Sequence, residues 1–180
     1  MEKIIGQLIE ELKQAAEGKE RKPIKEKMGD EITVYYDRVL TSALQWASVG
    51  YSSALRLAGM KFGKRAGEES KKTEFSLVLE EVKGIIIALR GGKVELNILP
   101  ESRGAELKIY NSPSLIDTPN VLQNLCFFEE GLIEGYIEGV ITKNGPLAVA
   151  GEELSVSKVS VEEKRCVGLG DDYCGFLIKF

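Results

Sequence analysis

Four residues of this chain have the types and spacing to hold a metal ion. Cys126, Cys166 and Cys174 are its three cysteines, and Glu163 stands three residues before Cys166. Three thiols and one carboxylate complete a closed four-ligand set, and zinc is a cation that takes thiolates readily and accepts a carboxylate beside them. Gly168-Leu169-Gly170-Asp171-Asp172 between the last two cysteines is a turn signal that can bring both ends together. Glu163 and Cys166 present an obstacle. Their odd offset places them on opposite faces of a regular strand, so the site requires a bulge or a strand end near Lys164–Arg165. Spacing alone leaves other readings open: plain buried thiols, the commoner use of free cysteine, or redox chemistry. The seven residues between Cys166 and Cys174 are not the two-residue spacing of zinc knuckles or redox pairs.

Composition bounds the rest. The chain has 180 residues, 43% hydrophobic and 29% charged, which fits one globular domain or one domain with a helical extension. There is no histidine, so His-based triads, His general bases and a His-held haem are excluded from this chain. The net charge is -4, and the densest basic stretch, Lys19 to Lys27, is interrupted by Glu20 and Glu26, so no direct nucleic-acid contact is expected. No stretch approaches the roughly 20 apolar residues of a membrane span. The N-terminus is amphipathic and lacks a signal-peptide profile. The expected location is the cytoplasm, where thiols and metal ligands are commoner than disulfides.

Several elements must position the four residues. Ile4, Ile5, Leu8, Ile9 and Leu12 fall at helical spacing and predict an N-terminal helix, followed by a polar linker to about residue 28. The domain proper is read as 29–180. Asp37 to Ser48 and Tyr51 to Arg65 predict helices broken at Gly50. Phe75 to Leu89 predicts another, stopped by Gly91-Gly92, with Leu77 and Ile85-Ile86-Ile87 among its buried residues. Val94–Leu99 and Ala105–Tyr110 alternate and predict a β-hairpin. Thr118-Pro119 predicts the N-cap and first position of a long helix running to about Ile141 and carrying Leu122, Leu125 and Cys126. Leu147 to Phe180 reads as two or three strands of the same sheet. The fold class is therefore α+β, helices packed on one antiparallel sheet.

Gly131, Gly135 and Gly139 recur every four residues on the long helix, and Glu130, Glu134 and Glu138 share the spacing. Each glycine costs roughly 1 kcal/mol of helix propensity relative to alanine, which calls for a close backbone approach. Tight packing within the chain, a helix–helix dimer seam, or a ligand lying across the glycines would each account for it.

These residues carry a resemblance. Cys126-Phe127-Phe128-Glu129-Glu130-Gly131-Leu132-Ile133-Glu134-Gly135 and the ending Glu163-x-x-Cys166-Val-Gly-x-Gly-Asp-x-x-Cys174-x-Phe176 resemble the signatures of the 4-vinyl reductase, or hydrocarbon-binding, domain family. Ala58-Gly59-Met60-Lys61-Phe62-Gly63 and Ile109-Tyr110-Asn111-Ser112-Pro113 are weaker matches in the same order. The resemblance covers Gly29 to Phe180. It implies a fold shared with TRAPP transport-complex subunits and, more distantly, with haem-based NO-sensing domains. It relates the chain to the sensor domains of phenol- and toluene-responsive activators, whose zinc site of three Cys and one Glu corresponds to Cys126, Glu163, Cys166 and Cys174.

The resemblance implies a stand-alone domain that binds an apolar or aromatic small molecule in a regulatory or sensory role, with a structural zinc and as a homodimer. Trp46, Tyr51, Phe127 and Tyr136 are candidate lining residues, although such aromatics usually just fill a core. A histidine that holds a phenol hydroxyl in some of those sensors has no counterpart here. The segment Thr142–Ser160 is longer than in those sensors and allows an extra hairpin. A dimeric scaffold subunit and an accessory factor in tetrapyrrole vinyl reduction are the alternatives. No residue is assigned to catalysis, since a closed zinc site has no open position and the chain lacks a nucleotide-binding fingerprint.

Overall fold

The computed structural model describes residues 50–99, 104–112, 120–149 and 155–180. The expected N-terminal helix, the linker, the domain boundary near residue 28, the basic stretch, Trp46 and the Thr118-Pro119 cap lie outside these residues. Residues 50–67 form a helix, α1; the expected Asp37–Ser48 helix, and with it the break at Gly50, lies outside the described residues. Phe75–Arg90 forms α2, Phe127–Asn144 forms α3, and the strands among the described residues are β1 Lys93–Leu99, β2 Gly104–Tyr110, β3 Leu147–Ala148, β4 Ser155–Val156, β5 Ser160–Arg165 and β6 Cys174–Lys179.

The main sheet is antiparallel in the order β1-β2-β6-β5. Its inner face follows the two-residue period of a strand: Ala105, Leu107 and Ile109 on β2 and Cys174, Phe176 and Ile178 on β6 are buried. Against this face lie Val78, Leu79, Val82 and Ile86 of α2 and Leu132, Ile133, Ile137 and Val140 of α3. Both helices end where the sequence stops them. Gly91 (φ 62°) and Gly145 (φ 85°) turn the chain out, their amides donating back to Ile87 and Ile141.

The structure corrects several expectations. On α2 only part of the apolar run faces the core; Leu77 and Ile87 are exposed, because a helix this close to a sheet buries one stripe. The long helix begins at Phe127, with Cys126 as its N-cap. Leu122 and Leu125 therefore sit in the preceding loop, Leu122 at positive φ and 80% exposed. The C-terminal strands do not all join one sheet. β5 and β6 do, while β3 and β4 pair separately as an extra two-stranded ladder.

The glycine face of α3 is filled from within the chain. A Cβ built on Gly131, Gly135 or Gly139 would fall 2.0–2.2 Å from the carbonyl oxygens of Arg56, Met60 and Lys64 on α1. The relation is reciprocal: Gly59, Gly63 and Gly67 of α1 meet the carbonyls of Phe128, Leu132 and Tyr136 at 2.1–2.2 Å. The two helices thus touch backbone to backbone over three turns, which only glycine permits. This face offers nothing to a second copy or to a ligand, so the packing reading of the ladder holds and the seam reading does not.

Candidate metal centre

The structure brings Cys126, Glu163, Cys166 and Cys174 together, with one ligand atom from each within 4.8 Å of the others and all four side chains buried. Cys126 Sγ lies 3.2 Å from Cys174 Sγ, which lies 3.9 Å from Cys166 Sγ. None of the three is in a disulfide.

Local structure explains the convergence. The register of β5 on β6 shifts between Glu163 and Arg165, the irregularity the odd spacing requires. Glu163 points inward with Val161 by the ordinary alternation of the strand, and the shift lets Cys166, just past the strand, turn in as well. After Cys166 a single 3-10 turn, Val167–Leu169, ends at Gly170 in the left-handed region. Asp171 closes this loop by accepting the Cys166 amide at 2.9 Å. Gly168 lies under the 120–126 segment, where a Cβ would meet the Gln123 carbonyl at 2.6 Å, and its own carbonyl accepts the Val121 amide at 2.8 Å. These contacts bring Cys126 against the Cys166–Cys174 loop.

The segment 124–130 supplies most of what surrounds the cluster. The Leu125 amide donates to Cys166 Sγ at 3.2 Å, and the Cys126 amide donates to Glu163 Oε2 at 3.2 Å. Asn124 donates its side-chain amide to the Glu163 carbonyl at 3.2 Å. Glu130 accepts the Glu163 backbone amide at 3.2 Å. Glu163 is thus held at its amide, its carbonyl and one carboxylate oxygen. Its other oxygen, Oε1, is buried with no hydrogen-bond partner. Glu129, in the first turn of α3, forms a buried ion pair with Arg90 at 2.5 Å. Sequence reasoning passed over Asn124, Glu129, Arg90 and Arg56, the last of which binds Glu130 and Glu134; the Glu ladder was a signal that cations should be sought at matching positions.

Burial and the neighbouring Cys166 push the Glu163 carboxyl up to about 9. Hydrogen bonds from Cys126 and Cys174 pull the Cys166 thiol below its ordinary range, and contact with the other two thiols together with burial pushes Cys126 up. Burial works against the Arg90 cation, but Glu129 and the nearby Cys126 and Cys174 outweigh it and raise Arg90 further. Without a cation, Glu163 and Cys126 therefore keep their protons well above the usual pH, and the buried Arg90 cation lies beside them.

The donor set fits a tetrahedral cation. Metal–sulfur bonds near 2.3 Å place two sulfurs about 3.8 Å apart, comparable with the spacing found, and the partnerless Glu163 oxygen completes the set. Cys126 at the N-cap of α3 also has the positive end of the helix dipole behind its thiol.

The expected lining aromatics do not share this centre. Tyr51 is 68% exposed. Phe127 is half-buried. Tyr136 is buried and donates its hydroxyl to Glu81 at 2.9 Å, which serves the core reading. No described helix is long and apolar enough to cross a membrane.

No protein-family model matches the sequence. Two uncharacterised proteins of Methanocaldococcus jannaschii are similar to it. One is 31% identical over 119 residues, covering 65% of this chain and 60% of that protein. The other is 29% identical over 118 residues, covering 66% and 60%. The chain thus spans about three-fifths of these relatives' length. Among solved structures, the phenol-responsive sensory domain of the transcription activator PoxR, with phenol, has a TM-score of 0.52 at 15% identity, covering 79% of this chain and 73% of that one. Subunit 3 of a trafficking protein particle complex from Naegleria fowleri, covalently bound to palmitic acid, has a TM-score of 0.54 at 15% identity, covering 83% and 96%. A vinyl-4-reductase family protein from Methanocaldococcus jannaschii has a TM-score of 0.48 at 20% identity, covering 85% and 84%. The fold is the one shared with the PoxR sensory domain and the TRAPP subunit.

Proposed function

We propose that this chain is a small-molecule-binding domain of the 4-vinyl reductase type, acting as a sensor or regulator, in which zinc bound by Cys126, Glu163, Cys166 and Cys174 fastens α3 to the C-terminal strands. The observation that carries the metal reading is the buried four-donor set with one carboxylate oxygen left without a partner. Three thiolates and a carboxylate around a dication leave the site anionic. The buried Arg90 and the N-terminus of α3 are placed to offset that charge. Iron suits the same thiolate set, and elemental analysis separates the two. The role is structural, because four protein donors leave no open position for substrate.

The binding role is supported by the fold. The PoxR domain contains phenol and the TRAPP subunit carries palmitic acid, so two proteins of this fold hold an apolar organic molecule. Native mass spectrometry of the untagged protein tests it: a discrete organic mass that is released on denaturation identifies the ligand class. A species of bare chain plus metal, indifferent to added phenols and fatty acids, contradicts it and favours the scaffold alternative.

A further inference from the structure

Cluster and α1 are linked through one carboxylate. Glu130 Oε2 accepts the Glu163 amide at 3.2 Å, while Glu130 Oε1 receives Arg56 Nε from α1 at 2.6 Å. The next glutamate repeats the arrangement one turn on. Glu134 Oε2 accepts the Val161 amide at 3.2 Å and binds Arg56 Nη2 at 2.6 Å. The match is geometric: four residues of helix rise about 6 Å and two residues of strand about 6.7 Å, so an acidic ladder on α3 meets alternate amides of β5. β5 ends the strand order of the sheet, and these two amides point away from β6. The carboxylates satisfy donors that would otherwise be left on a partly buried sheet edge.

The two glutamates differ in what they hold. Glu134 holds Val161, a core residue. Glu130 holds Glu163, which lies at the register shift and contributes the carboxylate to the cluster. Arg56 grips both glutamates from α1, in the same stretch where α1 and α3 touch backbone to backbone.

We propose that Glu130 is a positioning residue for Glu163, and that the chain Arg56–Glu130–Glu163 couples occupancy of the cluster to the seating of α1. This rests on the metal reading above. Linkage makes the coupling reciprocal: a cation that fixes Glu163 steadies α1, and loosening α1 weakens the cation's hold. Partners that orient a metal ligand commonly set affinity by about 10- to 100-fold.

The test measures zinc affinity by chelator competition and hydrogen exchange over residues 50–67, with and without zinc, in the full chain. In the wild type, bound zinc should slow exchange in α1. Glu130→Gln keeps the shape but has one acceptor oxygen for two donors, and it should lose about tenfold or more in affinity together with the zinc-dependent protection. Glu134→Gln, which removes an equal contact to Arg56 but none to Glu163, should keep both. Zinc bound by the wild type with no change in α1 exchange overturns the coupling while leaving the metal site standing. So do equal losses in the two variants, which would mean general packing. A wild type that takes up no zinc overturns both. The wild-type comparison decides even where a variant fails to fold.

Discussion

Glu163 is a buried carboxyl residue held at its amide, its carbonyl and one carboxylate oxygen. Its folded value near 9 lies above the ordinary 4.5 because burial and Cys166 disfavour its charge. A carboxyl raised on folding contributes stability that is fully present below the unfolded value and is lost as pH rises toward the folded one. The metal-free protein should therefore lose stability between about pH 4.5 and 9 through this group. Glu163→Gln, which cannot ionise, should be more stable than the wild type in chelator at pH 8 and show a flatter profile by denaturant titration. With zinc present the order should reverse, because the variant lacks an anionic ligand. An unchanged profile would mean that Glu163 is not held as described. The four members of the cluster were legible in the sequence, since cysteine and glutamate types declare their chemistry and the odd 163–166 offset announced the bulge. Asn124, Glu129 and Arg90 were not, because their partners are distant in sequence and nothing local marks them.

The helices show the same division at the scale of elements. α2 ended where its glycines indicated and the hairpin strands matched their alternation, as strong local signals allow. The start of α3 was misplaced: Leu122 and Leu125 continue the helical period, yet the segment instead wraps the Cys166–Cys174 loop, with Val121 and Leu125 donating to Gly168 and Cys166. The partner of the α3 glycines was written in the sequence as Gly59, Gly63 and Gly67, at the same four-residue spacing. Gly135→Ala should destabilise the protein by about 3 kcal/mol, since the new methyl meets backbone at 2.2 Å, overriding the helix propensity it gains. That corresponds to a loss of roughly 10 °C in Tm. Gly84→Ala on α2 is the control. Nothing lies within 4 Å of its Cβ, so Tm should hold or rise by a few degrees. Equal effects of the two substitutions would refute the backbone-to-backbone contact.

For the whole molecule, the α+β class followed from periodicity, and the β3–β4 ladder lies in Thr142–Ser160, where an extra hairpin was expected; its separation from the main sheet was not legible, because short strands carry no mark of the sheet they join. A cation at the cluster would close the long stretch of chain between Cys126 and Cys166 and join α3 to β5 and β6, so its removal should loosen the molecule as a whole. Chelation should lower Tm and open all three thiols to a disulfide reagent, with zinc restoring both. Thiols that stay inert and a Tm that does not move would make the cluster plain core. The most direct measurement is the metal content of untagged protein purified without added metal, by elemental analysis, beside a Cys166→Ser variant. One zinc per chain, lost in the variant, is the predicted result. A metal-free wild type with three titratable thiols would contradict the account.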